Sequence, residues 1–309
     1  MKMKKLFIIS IFVLSSFIGN SQQDAIFSQY TYNPSAINPA YTGTSFSPEI
    51  FLSHKSQWVG LDGAPTFANF SFQSKGDIRK INWGLNITND EIGPTVENNF
   101  ALNISYAVPF NDDSFLSFGL KGSVNNMDVN FSLLDIYNPE DPLIMDNIDN
   151  NFVPNLGFGF HYVSEKIFAG FAIPQMFKTD HYEVNSDNLR LANERPHHYL
   201  TFGYVNQISN DVVLKSTMLM KWVRGVKRHG NLSVISRFYD SFDLGIGYDT
   251  YSSWNFLAAF KVFNNFIVGY TVDRPVVNFV PKVQNSHELF VKWTLNKNLL
   301  PKSILRRFQ

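Results

Sequence analysis

The sequence FALNISYAVPF, residues 100–110, decides the fold class of this chain. Large apolar side chains such as Leu102 and Ile104 stand at every second position, and small or polar residues stand between them. Successive side chains of a β-strand point to opposite faces, so this period of two predicts a strand with one apolar face. Such a face packs in the core of a soluble sandwich or contacts lipid in a membrane barrel. The length favours the barrel, because soluble strands average about 5–6 residues whereas bilayer-crossing strands need about 9–11.

The same alternation recurs through residues 49–298 and predicts fourteen strands in an all-β, antiparallel transmembrane barrel. The second face of these strands carries small and polar residues such as Asn82, which suit a crowded or wet lumen. Three larger side chains, those of Phe115, Tyr239 and Phe290, are expected to fill part of that lumen.

The connections between the predicted strands fall into two alternating classes. Those after even-numbered strands are short, as in GDIRK at residues 76–80. The long ones all follow odd-numbered strands and include residues 131–152, 177–196 and 275–285, as well as DEIGPTVEN at residues 90–98. Bacterial barrels have short periplasmic turns and longer outer loops, so this sorting predicts that both termini lie on the periplasmic side.

The tryptophans support the same orientation. Trp58, Trp222 and Trp254 fall at predicted outer strand ends, and Trp83 falls near an inner end. Tryptophan is enriched at both membrane interfaces, so these positions indicate girdle residues. Trp293 is expected in the middle of the last strand and supports neither orientation.

The composition and the two ends of the chain indicate export. Residues 1–21 combine three lysines, an apolar stretch and small residues, which predicts a signal peptide with cleavage near Ser21 and Gln22. There is no cysteine, which excludes disulfides and thiolate metal sites. Because 26 basic residues balance 26 acidic residues, bulk charge gives no argument for a nucleic-acid partner. We expect an outer-membrane protein of a Gram-negative bacterium, with residues 299–309 as a basic periplasmic tail.

Residues 22–48 lack the alternation and contain Asn-Pro twice, at Asn33–Pro34 and Asn38–Pro39. Proline has no backbone donor and disfavours helix in the residue before it. The segment is therefore predicted to be irregular. It is expected to pack on the periplasmic mouth of the barrel or to plug the lumen.

The sequence gives little evidence for a metal site or for catalytic residues. His181, His197 and His198 lie in or beside a polar loop, and the acidic run at residues 135–149 lacks the spacing of a calcium loop, so no metal site is predicted. His54 and His161 fall on different strands with many serines nearby, and any aromatic barrel of this size offers such pairs by chance. We predict a protein without catalytic residues, cofactor or metal, and an outer-membrane hydrolase is the weaker alternative.

Two blocks of sequence, FSQYTYNPSAINPAYTG at residues 27–43 and KSQWVGLDGAPTFANFSFQSKG at residues 55–76, resemble the opening of the PorP/SprF family. Members of that family are outer-membrane proteins of the type IX secretion and gliding machinery of Bacteroidetes-type bacteria. The resemblance is carried by Phe27, Ser28, Gln29, Tyr30, Asn33, Pro34, Asn38, Pro39, Ala40, Tyr41 and Gly43, and then by Gln57, Trp58, Gly60, Asp62, Gly63, Ala64, Pro65 and Thr66.

The resemblance implies a non-enzymatic accessory that docks or anchors secreted proteins, such as adhesins, by their C-terminal sorting domains. It also implies contact with membrane lipid, with other type IX components and with periplasmic ring or peptidoglycan-associated proteins. We expect the long outer loops to hold the cargo, through Tyr137, Tyr182, Arg274 and Phe279. The alternative is a porin-like diffusion channel for small solutes.

Overall fold

The structure is a computed structural model that describes residues 30–45, 47–76, 81–111, 114–134, 147–180, 193–250, 253–263, 265–276 and 285–295. No helix in these ranges is long and apolar enough to cross a membrane. The predicted signal peptide, Gln29 and the basic tail lie outside the described residues, as do Tyr137, Tyr182 and Phe279.

Fourteen strands form one closed antiparallel barrel, in which the first strand pairs with the last. A separate two-stranded hairpin, formed by Thr179–Asp180 and Asn193–Glu194, lies in the connection between two barrel strands. The predicted fold class is confirmed. The strands are β1 (Glu49–Ser56), β2 (Thr66–Ser74), β3 (Ile81–Ile92), β4 (Thr95–Asn111), β5 (Ser114–Val129), β6 (Ile148–Val163), β7 (Ile167–Ile173), β8 (Thr179–Asp180), β9 (Asn193–Glu194), β10 (His197–Gln207), β11 (Val212–Val223), β12 (His229–Phe238), β13 (Phe242–Asp249), β14 (Ser253–Phe263), β15 (Phe266–Pro275) and β16 (Ser286–Thr294).

The alternation of β4 places its apolar residues on the outside of the barrel. Leu102 is 51% exposed, whereas its neighbour Asn103 is 2% exposed. Closure leaves no free sheet edge in hydrocarbon, where an unpaired backbone group would be costly. The outer surface is therefore the lipid-facing surface, and the polar side chains point into the lumen.

Most predicted connections agree with the structure, but two outer ones differ. The connection predicted at residues 131–152 ends earlier, because β6 begins at Ile148, and the one predicted at residues 90–98 is wrong. Residues 90–98 do not form a loop, because β3 continues to Ile92, β4 begins at Thr95, and only Gly93 and Pro94 connect them. Asp90 pairs with Glu97 in this register. The hairpin extends beyond the apolar belt, where water reaches both faces and the alternation disappears.

Two aromatic residues are not where the sequence predicted them. Trp293 is the penultimate residue of β16, so it lies at the inner end with Trp83 and not in mid-strand. Tyr239 does not face the lumen, because it lies in the turn between β12 and β13 with 69% of its surface exposed. Phe290, in contrast, is buried in the lumen, where it contacts Phe51 with ring centroids 5.7 Å apart.

Candidate functional site

The two sequence blocks form two features of the molecule, a segment inside the barrel and a turn at its outer rim. The described part of the first block lies within residues 30–45, which we call the amino-terminal segment, and it contacts inward-facing side chains of the barrel. Residues 57–65 of the second block form the outer turn between β1 and β2, and the block then continues through β2, where Asn69 and Ser71 contact the first block. The amino-terminal segment and the outer turn are therefore two candidate sites.

The two Asn-Pro pairs shape the amino-terminal segment. Each proline begins a short 3-10 turn, at Pro34–Ala36 and Pro39–Tyr41. Proline suits the first position of a turn because its φ angle is already set. Its lack of an N–H costs nothing there, since a backbone N–H at this position would have no partner within the turn. The Asn38 side chain caps the second turn, because its Oδ1 accepts a hydrogen bond from the Ala40 N–H at 2.9 Å.

Asn33 holds the segment to β2. Its Nδ2 donates to Asn69 Oδ1 at 2.9 Å and to Ser71 Oγ at 2.7 Å, and its Oδ1 accepts from Ser35 Oγ at 2.8 Å. Asn33, Asn69 and Ser71 are all buried. A buried amide is costly unless its hydrogen bonds are made, and here both ends of the side chain have partners.

The second turn lies directly against the wall formed by β5 to β7. Asn38 Nδ2 donates to the carbonyl oxygen of Phe160 at 2.9 Å and lies 3.4 Å from that of Phe171. The backbone of Ala40 lies against Gly119, where a Cβ atom would overlap it. Only glycine allows this close approach of two backbones.

Two tyrosines extend to the opposite wall. The Tyr30 hydroxyl lies 3.2 Å from Thr217 Oγ1, on β11. The Tyr32 hydroxyl donates to Asp243 Oδ2, on β13, at 2.5 Å. Burial first, and then the charge of Asp243, raise the pKa of the Tyr32 phenol, so the hydroxyl keeps the proton that it donates.

Tyr41 completes the contacts of the segment by stacking on His161. The two ring centroids are 3.5 Å apart and the rings are inclined by 21°. Burial raises the pKa of the Tyr41 phenol, which therefore remains neutral. The aromatic cluster continues to Phe115 and Phe168, whose rings meet the His161 ring edge-on.

Several charged side chains of the lumen wall are paired with one another. A buried charge is tolerated when a partner and hydrogen bonds compensate its lost hydration. Such pairs are Lys55–Asp273 at 2.7 Å, Lys292–Glu49 at 3.2 Å and Arg237–Asp243 at 2.7 Å. His229 Nε2 and Asp249 Oδ2 form a hydrogen bond at 2.5 Å.

The second sequence block ties three hairpins together at the outer rim. The Gln57 N–H donates to the Pro65 carbonyl oxygen at 2.9 Å and closes the turn. The Gly63 carbonyl oxygen accepts from the Gly93 N–H of the β3–β4 turn at 3.1 Å. Gly63 has φ +71°, a left-handed conformation that favours glycine. The Val59 N–H reaches the connection between β15 and β16.

The remaining motif residues lie in the same turn. Trp58 has φ +46° and Gly60 has φ +94°, so both adopt the left-handed conformation. The Trp58 N–H donates to Ser286 Oγ at 3.2 Å, and Asp62 is exposed to solvent beside them. Ala64 closes a tight bend, because its N–H donates to the Leu61 carbonyl oxygen at 3.2 Å. These residues of the second block therefore form a compact turn at the outer rim.

The family can be assigned from a comparison of the sequence with protein-family models. Residues 19–293 match the type IX secretion system membrane protein PorP/SprF, which covers most of the chain. The chain belongs to the PorP/SprF family. The resemblance seen in the two sequence blocks is thereby confirmed. A search of curated proteins finds no match.

Two solved structures with TM-scores of 0.50 or more support the fold of this PorP/SprF protein. It is similar to the CymD monoaromatic hydrocarbon channel, with a TM-score of 0.52, 12% identity and coverage of 91% of this chain and 96% of that one. It is similar to a TodX deltaS2S3 mutant monoaromatic hydrocarbon channel, with a TM-score of 0.50, 9% identity and coverage of 87% and 94%. The Acinetobacter baumannii outer membrane protein Omp33 matches with a TM-score of 0.46, 8% identity and coverage of 82% and 100%. Fold and family together place the protein in the Gram-negative outer membrane.

Among the sequence-predicted cargo contacts, Arg274 is the one within the described residues. It lies exposed at the outer end of β15, opposite Trp254 of β14. The described residues contain no cluster of three or more His, Asp or Glu side chains that could hold a metal ion. In this PorP/SprF protein, His197 and His198 lie at the start of β10, where His198 stacks on Trp222 with centroids 5.4 Å apart.

The inward-facing partners of the amino-terminal segment were missed by sequence reasoning. Asn69, Ser71, Gly119, Thr217 and Asp243 all contact the segment. The sequence alternation of their strands is enough to predict that these side chains point inward. Which of the many inward positions contact the segment depends on how the barrel closes, and that information is not local to any strand.

Proposed function

We propose that this PorP/SprF protein is a non-enzymatic accessory of type IX secretion. It docks a secreted protein, such as an adhesin, by its C-terminal sorting domain at the cell surface. The observation that carries the proposal is the family match over residues 19–293. The long connections that cluster at the outer end support it, since an accessory that retains cargo at the surface needs an outward-facing platform.

The described part of that platform is a polar extension of the sheet. Strands β4, β5 and β6 are 17, 16 and 16 residues long, more than the roughly 9–11 that cross a bilayer. Their outer ends are rich in asparagine. Asn89 Nδ2 donates to Asn98 Oδ1 at 3.0 Å, and Asn125 Nδ2 donates to Glu97 Oε1 at 2.7 Å. These cross-strand bonds support a rigid wall above the membrane.

We assign cargo contact to the outer loops at residues 131–152, 177–196 and 275–285. Tyr137, Tyr182, Arg274 and Phe279 are the proposed contact residues. Aromatic and arginine side chains are enriched at the centres of protein interfaces, which supports this choice. The periplasmic end of the barrel is proposed to meet the ring or peptidoglycan-associated components, and the apolar belt to contact lipid.

Replacement of the two largest loops tests the docking proposal. Residues 135–146 and 181–192 are each replaced by a short Gly-Ser linker, in cells that lack the native protein. Cargo at the surface and in the medium is quantified by mass spectrometry. We expect surface cargo to be lost to the medium while the barrel still assembles.

The matched control replaces residues 224–228, a short outer connection, with the same linker. Assembly of every variant is read from its migration on a gel with and without heating. Full surface retention of cargo by an assembled variant that lacks both loops would contradict the docking proposal.

A further inference from the structure

We propose that the amino-terminal segment is a fixed plug that closes the lumen to solutes. It is seated on inward-facing glycines of the barrel wall. This inference goes beyond cargo docking, because it concerns the permeability of the barrel. It is independent of the outer loops.

The first argument is that the segment crosses the lumen from wall to wall. Asn33 is bonded to β2, and Asn38 is bonded to backbone oxygens of β6 and β7. Tyr30 and Tyr32 contact β11 and β13 on the far side. The interior of a barrel of this size cannot accommodate such a segment and also keep a wide aqueous path beside it.

The second argument is the fit of the segment to its seat. A Cβ atom at Gly119 would overlap the backbone of Pro39 and Ala40, and a Cβ atom at Gly159 would overlap the Asn38 side chain. Ala40 is 0% exposed. Glycine weakens a strand, so inward glycines at these contact points indicate that the wall is shaped for the turn.

The third argument is the small size of the cavity beside the segment. A cavity of about 40 Å³ lies beside the segment, and its lining includes Tyr30, Tyr41, Glu49, Lys215 and Lys292. Pockets for small-molecule ligands have volumes of about 300–1,000 Å³, so this one is suited to water and not to a nutrient solute. The Lys215 Nζ also donates to the Thr31 carbonyl oxygen at 3.2 Å and ties the wall to the segment.

The fourth argument is that carbonyl oxygens along the segment accept hydrogen bonds from side chains of the wall. Asn103 Nδ2 donates to the Ser35 carbonyl oxygen at 3.2 Å, and Ser105 Oγ donates to the Thr42 carbonyl oxygen at 2.6 Å. Backbone oxygens of an irregular segment are difficult to satisfy in a buried site. Strands β2, β4, β6, β7, β11 and β13 all supply partners, which indicates a permanent position.

Single-channel recording in planar lipid bilayers tests the plug. The proteins are wild type, the double variant Gly119→Ala/Gly159→Ala and the control Gly122→Ala. Gly122 lies on the same strand as Gly119 but faces outward, and a Cβ atom there would meet nothing within 4 Å. We expect wild type and the control to be silent, and the double variant to show openings because its turn is displaced from the seat.

Disulfide cross-linking between an introduced pair of cysteines tests the position of the segment directly. The chain has no native cysteine, so Asn33→Cys/Ser71→Cys introduces a single cross-linking pair in place of two hydrogen-bonded side chains. We expect a disulfide in the folded barrel, and less of it when the two alanine substitutions are added.

The outcomes that overturn the plug are specific. A large steady current through the wild-type protein would contradict it, and so would a folded barrel in which the two introduced cysteines do not cross-link. Silence of the double variant together with an unchanged cross-link would contradict the glycine seat. The recordings use purified protein without cargo and without changes to the outer loops. A result that contradicts the plug therefore does not affect the docking proposal, and a result that contradicts docking does not affect the plug.

Discussion

At the scale of single residues, Asn33 and Asn38 of the first sequence block form hydrogen bonds with buried polar groups. Asn38 makes both of its contacts with one amide, because its oxygen caps a turn and its nitrogen donates to the wall. A residue that only accepts or only donates cannot take both roles. The sequence marked Asn38 as a family position, but only the fold shows why asparagine is needed there.

Asn38→Asp is predicted to destabilise the segment more than Asn38→Ala. Aspartate keeps the capping oxygen but places a second oxygen against the Phe160 carbonyl, so it buries an unpaired charge or takes up a proton. We expect Asn38→Ala to cost about 1–3 kcal/mol and Asn38→Asp at least as much. Urea unfolding of the detergent-solubilised barrel measures the difference. Asn98→Asp on the water-exposed outer extension is the control, and equal effects of the two aspartates would contradict this account.

Tyr32→Phe is predicted to lower the free energy of unfolding by about 1.5–3 kcal/mol, the range for a hydrogen bond to a charged group. The variant keeps the aromatic contact with Phe290 and removes only the donor to Asp243. The same urea titration measures it. Tyr106→Phe is the control, because Tyr106 is 47% exposed on the outer surface. The expected loss would be absent if the Tyr32 hydroxyl did not contribute to folding.

At the scale of the element, strands were predicted well wherever their two faces meet different environments. Alternation requires a contrast between lipid and lumen. Beyond the membrane both faces of the β3–β4 hairpin are wet, so Asn89 to Asn98 show no contrast and look like a loop. The two-residue turn at Gly93 and Pro94 was missed for this reason.

A charge on the outer face of β4 should be tolerated only outside the bilayer. We predict that Leu102→Arg destabilises the inserted barrel by about 2–4 kcal/mol, because Leu102 faces lipid. Val96→Arg, on the same strand and face but near its outer end, should cost about 0–1 kcal/mol. Unfolding of each variant from lipid vesicles measures both values. A larger penalty at Val96 than at Leu102 would reverse the proposed position of the membrane.

At the scale of the whole molecule, the barrel is stable only if lipid or detergent covers its outer surface. Many large apolar side chains are exposed on that surface, and contiguous patches of this kind cause aggregation in water. We predict that residues 22–309, unfolded in urea, refold on dilution into detergent micelles and precipitate on dilution into buffer. Circular dichroism and gel migration measure folding. A monomer that refolds in buffer alone would show that the apolar face lies inside a protein core.

The sequence by itself determined the strand number of the barrel, its antiparallel closure and its lipid-facing side. Each of these follows from the period of two, a local pattern that the bilayer imposes on any barrel. The alternating loop lengths likewise predict the orientation of the barrel in the membrane. The family also followed from local blocks.

Only the tertiary structure decided what those blocks contact. Asn33 and Asn69 are far apart in the chain, and Tyr32 meets Asp243 across the lumen. Such pairs exist only after the barrel has closed, because closure brings inward-facing residues of distant strands around one enclosed space. No local period encodes which of them will meet the amino-terminal segment.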